Sequence, residues 1–283
     1  MKFIYAWAIC LLGQIAALSA AYGSNSASSI TLAPHQAVYD ISLNELRSGT
    51  GVSQLRGRLV FEMTGSVCEG YTVNMRFVTR ITDLQGSEKV TDLRASSWEH
   101  GKSNLFRFNS SHYLNQKLDQ ATSGDARRIN NKAAVEIRLK QPKPTKLKTS
   151  PNVMFPTQHI VRIIESALAG KTHLHADVYD GSELGEKVYQ TTTIIGKKVT
   201  SSNNKNTGKI KNINKLRDLK SWPVAISYFS PDRERSIPDY QIGFRLFANG
   251  VSRNLLIDYG DFSIKGALKT IKFHEPAECK TSE

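Results

Sequence analysis

The chain has 283 residues and carries 38 Lys and Arg against 25 Asp and Glu, a formal charge of +13. That length permits one large β domain or two small ones. The basic charge comes without a nucleic-acid motif, so it suits anionic lipid headgroups, anionic glycans or acidic partner proteins and argues against nucleic acid.

Residues 1–22 read as a cleaved signal peptide. Lys2 is a minimal positive n-region, FIYAWAICLLGQIAALSA is the apolar segment, and Ser19, Ala20 and Ala21 offer the cleavage site, with Ala21-Tyr22-Gly23 a slightly later choice. A single-pass anchor is the competing reading, but Gly13 and Gln14 interrupt the segment and no basic cluster follows to stop transfer. Cys10 lies too early for a lipoprotein cleavage position. The mature protein is therefore expected to be exported and soluble; a monomer is expected. Residues 23–33 are small and polar, a short flexible leader, and 34–283 form a single β domain.

Period-2 alternation dominates the chain beyond this leader. In GYTVNMRFVTRI, Tyr71, Val73, Met75, Phe77 and Ile81 alternate with Thr72, Asn74, Arg76 and Arg80. VEIRLK repeats the pattern with Val135, Ile137 and Leu139, and DYQIGFRLF with Tyr240, Ile242, Phe244 and Leu246. Shorter runs occur at 37–44, 52–64, 88–98, 104–109, 174–179, 187–195, 222–229, 251–259 and 261–273. This is antiparallel sheet with one wet face. Turn residues punctuate it at Gly49-Thr50-Gly51, Ser123-Gly124-Asp125, Asp180-Gly181, Asn249-Gly250 and Gly260-Asp261.

One segment has the other period. In FPTQHIVRIIESALAGK, Ile160, Ile163, Ile164, Ala167 and Leu168 make a helix stripe, with Thr157 as N-cap and Gly170 after the C-terminus. His159 lies beside the stripe and is equally compatible with the surface. A long β chain with one amphipathic helix near its middle implies a curved sheet wrapped around that helix. The basic stretches QPKPTKLK (141–148) and 197–220 read as solvated connections, with partner or membrane docking as the functional alternative.

KTHLHADVYDGS raises the question of a metal, because His173, His175 and Asp177 begin a pattern known from zinc hydrolases. There another His follows the Asp directly; here Val178 stands in that place, and the other mature histidines show no ligand spacing. The reading is a polar strand face, with no metal and no cofactor. No G-x-S-x-G, S-x-x-K, H-E-x-x-H or phosphate-cradling glycine loop is present, and Asp258 and Asp261 beside Gly260 read as turn residues. No catalytic residue is assigned and an enzyme is not expected. With Cys10 removed, Cys68 and Cys279 remain, an even count that reads as a disulfide in an oxidising compartment, against the alternative of two free thiols.

Several blocks together resemble a known family: VCEGYTV with the C-terminal AEC, SSWEHGKSNLFRF, MFPTQHIVRIIESALAGKTHLHADVYDGS, SWPVAISYF and YQIGFRLFANGVSRNLLIDYGDFSIKGAL. They are similar to the cell-envelope integrity protein B (EipB) family, over about residue 34 to Cys279. The resemblance implies a periplasmic protein that supports envelope integrity under stress at the outer membrane. It implies a long antiparallel β-spiral, or open barrel, curled around one central helix at about Thr157 to Ala169, similar to lipoprotein carriers of the LolA/LolB type. It places the disulfide on Cys68 and Cys279 and offers no catalytic residues. Two functions fit. The favoured one is a non-catalytic scaffold that binds another periplasmic or outer-membrane-associated protein, with an anionic envelope surface as a further partner. The alternative is a carrier of a lipid, acyl chain or lipoprotein, for which Ile160, Ile163, Ile164 and Leu168 would be either groove floor or helix plug.

Overall fold

The computed structural model describes residues 30–47, 51–129, 134–199, 210, 212–231 and 237–279. The expected signal peptide (1–22) and residues 23–29 of the expected leader lie outside them. In chain order the elements are β1 (His35–Leu46), β2 (Val52–Ser66), β3 (Gly70–Asp83), β4 (Glu88–Glu99), β5 (Leu105–Leu114), β6 (Lys117–Ile129), β7 (Ala134–Gln141), β8 (Thr145–Thr149), α1 (Pro156–Leu168), β9 (His173–Val178), β10 (Tyr189–Ile195), β11 (Ser221–Phe229), β12 (Tyr240–Phe247), β13 (Ser252–Asp258) and β14 (Phe262–Phe273).

Among the described residues, the strands form one 14-stranded antiparallel sheet with β8 and β9 at its two ends. It consists of two meanders, β1 to β8 and β9 to β14, zipped together by a ladder from His35↔Phe273 to Leu46↔Phe262 between β1 and β14. The sheet does not close on itself. Instead the chain leaving β8 crosses the gap, where Met154 makes a parallel bridge to Val178, before α1 returns it to β9. Residues directly opposite in a ladder share a face, so alternation in sequence becomes a continuous apolar face in space. One such row runs Tyr39, Leu59, Phe77, Leu93 and His112, and another Phe61, Met75, Ala95, Ser110 and Thr122.

Three cores fill this face. Ile163, Ile164 and Ala167 of α1 pack with Tyr71, Trp222, Val224, Ile226 and Leu246. Residues of β1 and β14 pack with Phe247, Ile213 and Leu216. Phe106, Phe108, Ile137 and Leu139 cover Val153, Phe155 and Tyr179. Full burial of Ile163 and Ile164, both with no exposed surface, is worth roughly 1.5–3 kcal/mol each.

The helix has the expected stripe but not the expected cap. Its N-cap is Phe155, which makes no side-chain capping bond, and Thr157 is inside the first turn. The free N–H groups are taken by a distant carboxylate: Glu99 accepts from Thr157 N (2.7 Å) and Gln158 N (3.0 Å). Beside it, the Arg128 guanidinium donates to the carbonyls of Ser103, Pro151 and Val153 and to Gln158 Oε1 at 2.7–2.9 Å. It also lies 5.0 Å over the Phe155 ring. One acid and one arginine thus fix the helix start to β4 and β6.

Other expectations are corrected. Leu32, placed in the flexible leader, has no exposed surface and its N–H bonds the Tyr71 hydroxyl at 3.1 Å. Ser123-Gly124-Asp125 lies within β6; the turn before that strand is at Asn115 and Gln116, whose φ values are 49° and 69°. The connection 141–148 contains the start of β8. The basic stretch 197–220 sends Ile213 and Leu216 into the second core from a 3-10 turn, Ile213–Leu216. His159 is buried, 3 % exposed, rather than on the surface, whereas Leu168 at the end of the stripe is 44 % exposed.

Candidate functional site

The face built by β3 to β6 is only partly covered. Val73 and Met75 of β3, Leu93 and Ala95 of β4, Phe106, Phe108, Ser110 and His112 of β5, and Gln120 of β6 line a cavity of about 480 Å³. Its other wall is Pro156, the first residue of α1, with the loop Asp180, Gly181, Ser182 and Glu183 that comes after β9. This size falls within the ~300–1,000 Å³ of small-molecule sites, and the mixture of apolar walls with a few polar groups is their usual chemistry. Val73, Met75, Phe77 and Leu93 are half-buried rather than sealed, so apolar carbon is left available inside the curl.

The loop is held in an unusual backbone. Gly181, Glu183, Leu184 and Gly185 have φ of 74°, 48°, 65° and 76°. A Cβ on Gly181 would stand 2.4 Å from the Phe108 ring, and one on Gly185 2.6 Å from the Leu139 side chain. These glycines let the loop lie flat on β5 and β7, while Glu183 and Leu184 bear a left-handed conformation that costs about 1–2 kcal/mol each. Tyr179 offsets this. It has no exposed surface, its hydroxyl donates to Gly185 O at 2.8 Å, and its ring meets Phe106 and Phe108 edge-on.

This loop sets Asp180, half-buried, at the cavity wall. Its Oδ1 accepts the Ser182 N–H at 2.9 Å. Burial pushes the carboxyl above the ordinary range, partly opposed by the bond from the Ser182 N–H. Tyr189, Tyr228 and Tyr240 cluster nearby: the last two stack at 4.5 Å, and Tyr189 stands edge-on 5.8 Å from each. Burial pushes all three phenols up, and the negative charge of Asp180 adds to the shift. Glu183 has a partner of its own, Lys187 Nζ at 3.7 Å, which also reaches Ser230 Oγ at 3.2 Å.

The sequence profile of the EipB-like family matches residues 26–275. The chain belongs to the EipB-like family. It is 34 % identical over 259 residues to the cell envelope integrity protein EipB of Brucella abortus (strain 2308), covering 91 % of this chain and 90 % of that protein. It is also similar to a solved structure from Brucella abortus, a beta-barrel-like protein of a domain of unknown function. That likeness has a TM-score of 0.79 and 34 % identity, covering 86 % of this chain and 99 % of that one.

On this EipB-like fold the residues singled out in the sequence scatter. Cys68, in the β2–β3 turn, and Cys279 form a disulfide with a Cα–Cα distance of 5.7 Å, pinning the C-terminal segment beside the hairpin. Ile163 and Ile164 are buried in the first core; Ile160 packs against the same core while partly exposed, and none of the stripe lines this cavity. His173 and His175 are exposed on edge strand β9, with His175 Nδ1 3.1 Å from Thr192 Oγ1. Among the described residues no three His, Cys, Asp or Glu converge to hold a metal. Asp258 takes a two-pronged bond from Arg47, 2.8 Å at each oxygen, which holds its carboxyl below the usual range. No helix among the described residues is long and apolar enough to cross a membrane. The place of the cavity was missed, although two of its walls, Phe106 and Phe108 in SSWEHGKSNLFRF and the DGS after β9, stood in blocks that carried the family resemblance.

Proposed function

We propose that this protein supports cell-envelope integrity from the periplasm by holding an apolar chain, such as that of a lipid or lipoprotein, in the cavity between β3–β6 and the loop after β9. The role in the envelope is taken from the name of its Brucella abortus relative, which points to integrity of a structure and not to a reaction. The binding reading rests on one observation: a cavity of about 480 Å³ with Val73, Met75, Leu93, Phe106 and Phe108 as its apolar wall. That reverses the preference drawn from the sequence, where the stripe of α1 had two readings and no cavity could be seen. It does not depend on likeness to LolA/LolB-type carriers.

The test uses N-phenyl-1-naphthylamine, a neutral probe that fluoresces in apolar surroundings. The mature protein is expected to bind it saturably, and Ala95→Trp, which fills the cavity, is expected to abolish binding with the unfolding midpoint retained. Absence of saturable binding to the parent protein would defeat the reading. The scaffold reading has one observation in its favour, the edge strand β9, which among the described residues pairs only with β10 apart from the single Met154 bridge. An envelope protein docking there would add a strand, and a Pro substitution at His175, whose N–H points away from β10, would weaken that complex while leaving probe binding intact.

A further inference from the structure

The polar groups of the cavity narrow the ligand class, on the assumption that the apolar-ligand reading holds. In a chain of net charge +13, the described residues that line this cavity include no lysine and no arginine, but they include Asp180 and Glu183. The third ionisable group, His112, lies 3.2 Å from Asp119. Glu183 is shared with Lys187. Asp180 is not: among the described residues no Lys or Arg nitrogen lies within 4.0 Å of it. Half-buried at the cavity wall with Glu183 close by, Asp180 repels an anion and attracts a cation.

Independent features point the same way. Thr122 stands beside Ser110 on the row that lines the cavity; it is 1 % exposed and its hydroxyl has no partner. Phe108 lines the cavity against Gly181, the residue after Asp180, and aromatic faces attract cations. The left-handed backbone at Glu183 and Leu184 is the kind of local strain that clusters at ligand sites. An anionic head would meet a like charge here, and a purely apolar ligand would supply none of the positive charge that the described lining lacks.

We propose that the cavity takes a single-chain amphiphile whose head is a protonated amine, with its alkyl chain along Val73, Met75, Leu93 and Phe108 and its ammonium at Asp180. The upward push that burial gives the Asp180 carboxyl accords with this, because a bound cation would relieve it.

The experiment is a calorimetric titration of the mature, disulfide-intact protein at pH 7 with dodecylammonium, dodecanol and dodecanoate, each below its micelle concentration. Dodecylammonium is expected to bind at least ~10-fold more tightly than dodecanoate, the size of one close charge pair, with dodecanol between them. In Asp180→Asn that preference collapses while dodecanol binding persists. Equal affinities, or tighter binding of dodecanoate, overturn the head-group assignment and leave the apolar-ligand reading standing. No binding of any of the three overturns both. The comparison on the unaltered protein decides the matter whether or not the variant folds.

Discussion

His159 is a histidine where the core wants a hydrocarbon. It is 3 % exposed on α1, and its Nε2 has no hydrogen-bond partner. Burial pushes its pKa down to about 4, so the folded protein keeps the ring neutral while the unfolded chain protonates it near 6.5. In that window the unfolded state binds the extra proton, and stability falls as pH drops from about 6.5 to about 4. The loss from this one group is about 3 kcal/mol. His35 is shifted in the same direction by burial and adds to it. His159→Leu is expected to be at least as stable as the parent at pH 7 and to lose markedly less stability on acidification. Urea unfolding at pH 7 and pH 4.5 measures this; equal losses in parent and variant would show that the ring is hydrated or partnered in solution.

The start of α1 depends on Glu99 and Arg128, which lie on β4 and β6 and not on the helix. Glu99→Ala would strand the N–H groups of Thr157 and Gln158, at a cost of about 2 kcal/mol. Arg128→Lys is expected to cost as much or more, because an ammonium cannot serve four acceptors arranged around a planar fork. Both losses are read from chemical denaturation, and full stability of either variant would contradict the arrangement. This element also shows what was legible in the sequence. The apolar stripe was, because a 3.6-residue period is local. The cap was not, because Glu99 is 58 residues before Thr157 and its own strand gives no sign of the partner. Ser123-Gly124-Asp125 misled for a different reason. Gly124 is there for closeness, not for a turn: a Cβ would stand 2.6 Å from Arg138 O and 3.0 Å from the Phe108 ring. Turn chemistry and tight strand packing select the same residue, and only the neighbours tell them apart.

At the scale of the whole molecule, fold class and disulfide were readable because alternation and cysteine count need no long-range information. The cavity was not, because its lining runs from Val73 to Glu183 and no window of sequence contains both walls. The disulfide spans 211 residues, for which chain-entropy reasoning gives about 5 kcal/mol and practice typically 2–4. Removing it with Cys68→Ser/Cys279→Ser is expected to lower the melting midpoint by roughly 5–15 °C, since each kcal/mol is worth about 2–4 °C at this size. A calorimetric scan checks it; an unchanged midpoint would mean that the β1–β14 ladder alone holds the ends.

That ladder also has a consequence for the order in which the chain can fold. Every other neighbouring pair in the sheet joins strands consecutive in sequence, so each can form as soon as its second strand emerges, with little loop entropy to overcome. β1 alone waits. It gains β2 at once on one side, but its other edge finds β14 only when nearly the whole chain has emerged. An open edge invites pairing with a stranger. Asp40 in the middle of β1, later held by Arg58 and Lys269 at 3.3 and 3.4 Å, puts a charge on the waiting strand, and the last strand to emerge retires the hazard carried by the first.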